Sequence, residues 1–296
     1  MKIATFWWAG RRHVGRLSAD GRDLKTLALG DRAHAVGALA LVEAMAAGAT
    51  GASFPKETGP ALPVSAVKLD APLPVPRRNI FCVGINYRAH ASEFAASGFS
   101  NDQPDPQQAV PDHPVIFSKV PECVIAPEAP IRMPEGLSSS IDYEAELAVI
   151  IGKGGTSIPV SRAMDHVFGY TIINDVTARD LQGRHKQWFL GKSMDTFAPM
   201  GPWCVTADEV DLATAGIRCW VNGELRQDAK IADLIFDIPT LIETISAGIT
   251  LLPGDIIATG TPAGVGIGFK PPRFLKKGDV VAMEVDGIGR LANQVG

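Results

Sequence analysis

The sequence predicts a β-rich α+β fold with a small N-terminal module, and three observations carry that prediction. Short runs of β-branched and apolar residues recur from about residue 79 onward, bounded by Gly, Pro or Asn-Gly. Helical periodicity is confined to a few segments that do not alternate with the strands, so the pattern is not a βαβ repeat. Residues 1–70 read differently and run into a proline-punctuated stretch.

The elements follow in chain order. Residues 1–17 predict a short hairpin, and the Ala- and Leu-rich segment 32–48 predicts a helix. Pro55, Pro60, Pro63, Pro72, Pro74 and Pro76 lack backbone donors and fix φ, which predicts an extended linker rather than packed sheet. The chain therefore divides into a small α/β module, 1–70, and a main body, 71–296. The body opens with a buried strand at 79–85 and a short helix at 86–94. A polar, proline-rich loop at 98–114 is a candidate lid. Strands are then predicted at 115–118, 143–151, 167–174, 203–206, 217–221, 255–259 and 279–285. Asn222-Gly223 between apolar residues signals a type I′ hairpin. Ile238, Leu241, Ile242 and Ile245 share one face of a helix at 238–248, with Pro239 in its first turn and Gly248 at its stop. Segments 252–255 and 276–279 read as turns, and there is no repeat at a period of 20–50 residues.

Composition narrows the class. The chain has 296 residues, 46% apolar and 20% charged, as a globular protein with a substantial core requires. A net charge of −4 without a basic stripe argues against a nucleic-acid partner. No apolar run approaches the roughly 18 residues of a membrane span, and the apolar core of residues 1–12 is too short for a secretory signal. Cys82, Cys123, Cys204 and Cys219 are scattered, as reduced buried thiols would be. The expectation is a soluble cytoplasmic protein.

The segment 141–151, Ile-Asp-Tyr-Glu-Ala-Glu-Leu-Ala-Val-Ile-Ile, concentrates the chemistry. Residues i and i+2 of a strand face one side, so Glu144 and Glu146 would project together, roughly 6–7 Å apart. Two such charges among apolar residues resist burial unless a hard cation lies between them; a solvated strand face is the alternative. A third acid, Asp175, ends the run 167–174, with Arg179 and Asp180 just beyond. Other chemistries lack their signatures. Gly191-Lys192-Ser193 has Lys186 where a phosphate-binding loop needs Gly, and 264–269 ends in Phe where a dinucleotide fingerprint needs Gly. There is no G-x-S-x-G, H-E-x-x-H or EF-hand loop.

Five ordered motifs carry a resemblance: Gly84-Ile85-Asn86-Tyr87 with His90-Ala91-Ser92-Glu93; 141–147; Asn174-Asp175-Val176-Thr177-Ala178-Arg179-Asp180; Gly191-Lys192-Ser193-Met194-Asp195; and Gly260-Thr261-Pro262-Ala263-Gly264-Val265-Gly266. Together they resemble the fumarylacetoacetate hydrolase family over roughly 79–295, in its acylpyruvase and 2-hydroxyhepta-2,4-diene-1,7-dioate isomerase-like branch. The resemblance implies a mixed β-roll or barrel catalytic domain, and a Mg²⁺ or Mn²⁺ site from Glu144, Glu146 and Asp175 that chelates a 2-oxo acid. It implies a water-activating pair, His90 with Glu93, on a segment (86–114) that orders around substrate. It places Lys192 at the oxyanion, and Arg179, Gln182, Thr261, Gly260 and Tyr87 at the substrate. Read alone, the pair could be an incidental surface His and Glu, Lys192 a surface charge, Arg179 a structural ion pair, and 260–266 a tight turn. The implied activity is C–C hydrolysis of a 2,4-dioxo acid to pyruvate and a carboxylic acid, as in aromatic catabolism. The alternatives are isomerisation or decarboxylation of a 2-oxo diacid on the same site, or a non-catalytic oxo-acid or metal-binding protein. Relatives imply a homodimer.

Overall fold

The computed structural model describes residues 1–98 and 110–296. The expected lid at 98–114 falls mainly on 99–109, outside the described residues.

Residues 1–70 build five strands and two helices. β1 (Lys2–Trp8) and β2 (Arg11–Leu17) form the expected hairpin across Ala9-Gly10. β3 (Asp23–Leu27) follows. The predicted single helix is two, α1 (Gly30–Val36) and α2 (Leu39–Ala46). Gly37 breaks it at φ 63°, where a Cβ would stand 2.6 Å from Pro74 and 2.7 Å from the Thr5 hydroxyl. The linker expectation also needs correction. β4 (Glu57–Pro63) contains Pro60 and Pro63 yet pairs with β3, because it lies at the end of the sheet, where missing donors cost nothing. β5 (Lys68–Leu69) pairs with β1.

The body supplies β6 (Ile80–Gly84), α3 (Arg88–Ala96), β7 (Val115–Lys119), β8 (Val124–Ile125), β9 (Ile141–Asp142), β10 (Ala145–Ile151), α4 (Val160–Ala163) and β11 (Val167–Asn174). β12 (Thr177–Ala178), α5 (Arg179–Arg184), α6 (Phe189–Lys192) and β13 (Ala198–Thr206) come next. The last third holds β14 (Gly216–Val221), β15 (Glu224–Lys230), α7 (Ile238–Ser246), β16 (Ile256–Ala258), β17 (Val280–Val285) and β18 (Gly289–Gln294). The Asn222-Gly223 turn joins β14 to β15 with both residues at positive φ, as type I′ requires. Asp237 caps α7 by accepting from the Thr240 amide at 2.9 Å.

The fold is the expected β-rich α+β. Its main sheet runs β4-β3-β2-β1-β13-β11-β10-β16-β6-β7, with β5 on β1 and β8 on β13. The path is open at β4 and β7, so the sheet is not closed into a barrel. A second sheet, β15-β14-β17-β18, packs beside it. β1 pairs with β13 at Lys2–Val205 and Ile3–Cys204, so the first strand extends the same sheet that carries the acids. All seven residues of β10 are buried between β11 and β16. Among the described residues no helix is long and apolar enough to cross a membrane.

Candidate functional site

The acidic site forms where β10 begins and β11 ends. β10 starts at Ala145, so Glu144 lies just ahead of the strand rather than on it. Two backbone ties hold it there. Its amide donates to Asn174 Oδ1 at 3.1 Å, and its carbonyl accepts from the Asp175 amide at 2.9 Å. The carboxylate oxygens of Glu144, Glu146 and Asp175 come within 4.8 Å of one another, and all three residues are buried. The solvated-face alternative is excluded.

Three cations surround the acids. Lys192 Nζ donates to Glu144 Oε2 at 2.8 Å and Asp175 Oδ2 at 2.7 Å. Lys119 Nζ donates to Asp175 Oδ1 at 2.7 Å, to the Val176 carbonyl at 3.1 Å and to the Lys192 carbonyl. Arg179 pairs through Nη1 with Glu144 Oε1 at 2.7 Å and through Nε with Asp142 Oδ2 at 2.8 Å. Glu146 has no ion pair among the described residues; Oε2 accepts only the Gly260 amide, at 2.8 Å. The electrostatics follow. Burial raises the Glu144 carboxyl, but Lys192 and Arg179 outweigh it and hold the group at about 2. Burial pushes Glu146 well above the carboxylate range, and Asp175 and Glu144 push it further. Burial lowers the Lys192 ammonium, while Asp175 and Glu144 more than restore it, so it stays charged. Three buried carboxylates with one uncompensated charge could hold a divalent cation, which wants hard oxygen ligands.

A pH dependence follows. Burial and the neighbouring Asp175 and Glu144 raise the Glu146 carboxyl, so in the metal-free protein a cation competes with a proton for it. Mn²⁺ affinity, titrated by electron paramagnetic resonance, is therefore expected to rise with pH and its binding to release protons; affinity flat between pH 6 and 8 would contradict it.

The His90–Glu93 pair sits on α3 with His90 buried. His90 Nδ1 meets Glu93 Oε2 at 3.2 Å, and Glu93 Oε1 accepts the Gly264 amide at 2.9 Å. The pair is therefore not incidental surface. A Cβ at Gly268 would stand 1.9 Å from Glu93 Oε1, so the glycine leaves the space that the carboxylate fills. Gly268→Ala is expected to displace Glu93, free the imidazole and lower kcat at least about tenfold while Mn²⁺ affinity stays near wild type. Steady-state kinetics with a parallel Mn²⁺ titration checks this.

His90, Glu144, Glu146, Arg179, Gln182, Lys192 and Thr261 line one narrow pocket. Its wall is aromatic. Trp188 makes edge contacts with Phe94 and Phe117 at 6.2 and 5.2 Å, and Lys192 Nζ lies 5.1 Å from the Phe117 ring centre. Arg179 forms the structural ion pairs of the alternative reading and lines the pocket, and its buried Nη2 has no partner among the described residues. Gln182 Oε1 accepts from Arg179 Nη1 at 3.1 Å. Thr261 Oγ1 accepts from Gln227 Nε2 at 2.8 Å. Tyr87 is buried but is not among the residues that line the pocket, and its hydroxyl has no partner among the described residues.

Sequence reasoning passed over three residues. Lys119 ends an ordinary strand, with no local signal. Asp142 lies inside a quoted motif; its carboxylate accepts from the Tyr143, Gly266 and Ile267 amides and from Arg179, tying the glycine loop to the acids. Gln227 sits on β15, which periodicity alone did not reveal.

A strand-rich α+β fold that buries acids, cations and a His–Glu pair around one small pocket has the make-up of an enzyme. Residues 79–296 match the family described as "Fumarylacetoacetate (FAA) hydrolase C-terminal", and the chain belongs to the fumarylacetoacetate hydrolase family. It is 51% identical over 234 residues to "Oxaloacetate tautomerase YisK" of Bacillus subtilis (strain 168), covering 79% of this chain and 74% of that one. A fumarylacetoacetate hydrolase from psychrophilic Exiguobacterium antarcticum superposes with TM-score 0.81 at 40% identity, over 100% of this chain and 99% of the other. A 5-carboxymethyl-2-hydroxymuconate delta-isomerase from Mycobacterium smegmatis gives 0.78 at 34%, with the same coverage.

Proposed function

We propose that this enzyme is an isomerase of 2-oxo diacids that moves a proton between C3 and the 2-oxygen, with keto–enol tautomerisation of oxaloacetate as the leading reaction. One observation carries the reading: a Glu-tethered imidazole shares a small aromatic-walled pocket with Glu144 and Glu146 of the acidic triad. The names of the Bacillus relative and the Mycobacterium isomerase support it. This places isomerisation ahead of the C–C hydrolysis that the motifs first suggested.

Glu144, Glu146 and Asp175 would hold Mg²⁺ or Mn²⁺, which supplies Lewis-acid polarisation of the 2-oxo group. The chain's own residues do the rest. Glu93 holds His90 through Nδ1, leaving Nε2 to take a proton from C3 and give one to the 2-oxygen. Lys192, fixed as an ammonium, stabilises negative charge developing on that oxygen in a low-dielectric site. Arg179 Nη2 and the Thr261 hydroxyl offer hydrogen bonds to substrate carboxylates. Phe94, Phe117 and Trp188 keep water from the reacting carbon.

Hydrolysis of a 2,4-dioxo acid is the second reading, because the same pair could deprotonate a water. One assay separates the two. Enol oxaloacetate and acetylpyruvate are each followed by enol absorbance and by pyruvate release, with Mg²⁺ and with EDTA. Accelerated loss of the oxaloacetate enol without pyruvate is expected. Stoichiometric pyruvate from acetylpyruvate would establish hydrolysis, and pyruvate from oxaloacetate would establish decarboxylation.

The division at residue 70 belongs to this proposal: every residue given a role lies between 87 and 261, and residues 1–70 support the sheet. Cytoplasmic action is supported by four free, buried cysteines. A homodimer rests on family likeness alone.

A further inference from the structure

The Gln227 side chain reaches two parts of the site at once. It is fully buried on β15, in the second sheet. Oε1 accepts the amide of Ala145, the residue between Glu144 and Glu146, at 3.0 Å. Nε2 donates to the Pro262 carbonyl at 2.7 Å and to Thr261 Oγ1 at 2.8 Å. The amide orientation is forced, because a backbone N–H can only donate and a carbonyl can only accept. Thr261 must therefore accept from Gln227, and its single hydroxyl proton is left to donate elsewhere. Among the described residues no protein acceptor takes it, and Thr261 lines the pocket.

We infer that Gln227 is a positioning residue that commits the Thr261 hydroxyl to donating into the pocket, selecting a carboxylate oxygen over any ligand group that itself donates. It also braces the backbone between two of the acids, so the acidic cluster and the substrate loop share one support. This rests on the 2-oxo acid reading above.

The test is calorimetric binding of oxalate, the smallest analogue of a carboxylate beside an oxo group, to the Mn²⁺-loaded protein. Wild type, Gln227→Met, Thr261→Val and the double variant are compared. A hydrogen bond to a charged group implies that each single change weakens oxalate at least about tenfold. The double variant should bind no more weakly than the weaker single, because Gln227 acts through Thr261. A purely structural glutamine would give losses that multiply. Gln227→Glu, of the same size but with no N–H to offer, carries the same expectation should Gln227→Met not fold. Wild-type-like affinity in the Gln227 variants, or multiplying losses, overturns the inference alone. Failure of wild type to bind oxalate overturns it together with the 2-oxo acid reading.

Discussion

Glu146→Gln is expected to abolish divalent-cation binding and lower turnover about a thousandfold or more, while making the metal-free protein more heat-stable. The opposite signs have one cause. Glu146 is buried against Asp175 and Glu144 without a cation of its own, and its carboxyl is raised well above the usual range. A group whose folded pKa is raised contributes stability below its unfolded value, roughly 4.3, and loses it as pH rises toward the folded one. The penalty on the metal-free protein therefore grows as pH rises above the unfolded value, and a neutral amide of the same size removes it. The side-chain oxygen of the introduced glutamine would still accept the Gly260 amide, so the loop keeps its anchor. Thermal melts decide it. Wild type should gain on the order of 2.7 kcal/mol from Mn²⁺ at a hundred times its dissociation constant, and the variant nothing. In EDTA at pH 8 the variant should melt higher, with the difference shrinking at lower pH. A retained Mn²⁺ shift would remove Glu146 from the ligand set.

Lys119→Met is expected to have the largest effect on stability. Lys119 is wholly buried beneath Asp175 and ties that carboxylate to the backbone of Val176 and Lys192. Removing one partner of a buried ion pair costs up to about 3–5 kcal/mol; Lys192 still holds Asp175 Oδ2, but Oδ1 loses its cation. In a chain of this size that lowers the melting temperature on the order of 10 °C. The loss should be greatest in EDTA and smaller with saturating Mn²⁺, since a cation between the acids replaces part of the missing charge. An equal drop in both conditions would make Lys119 a packing residue and no part of the site's charge balance.

The contrast between Glu146 and Lys119 shows what the sequence makes legible. Acids two apart at the mouth of an apolar run, and another ending the next run, are local patterns. β11 matches its expected span residue for residue, and Asn222-Gly223 forms its expected turn. Lys119 reaches Asp175 across 56 residues and Gln227 reaches Ala145 across 82, and no periodicity encodes which strands become neighbours. Prolines misled in two ways. Pro60 and Pro63 look like linker but lie on an edge strand, and Pro199 and Pro202 conceal the first half of β13. The five family motifs picked out residues that the fold brings together but not the reaction, because one constellation of base, ammonium and acids serves proton transfer, hydrolysis and decarboxylation alike.

The position of β10 separates two clocks of amide exchange. Its central residues, Ala148 to Ile150, are paired on both sides within the sheet and wholly buried, so their amides are expected to exchange only with global unfolding. The amides of Gly260, Gly264, Gly266 and Ile267 hang instead from single carboxylates, namely Glu146, Glu93 and Asp142. They can be released by local opening of the loop. Deuterium uptake there registers how firmly each carboxylate is held, while β10 stays silent until everything melts. The acids at the mouth of β10 thus rest on the deeply paired centre of the sheet, while the glycine loop beside them hangs from single side chains.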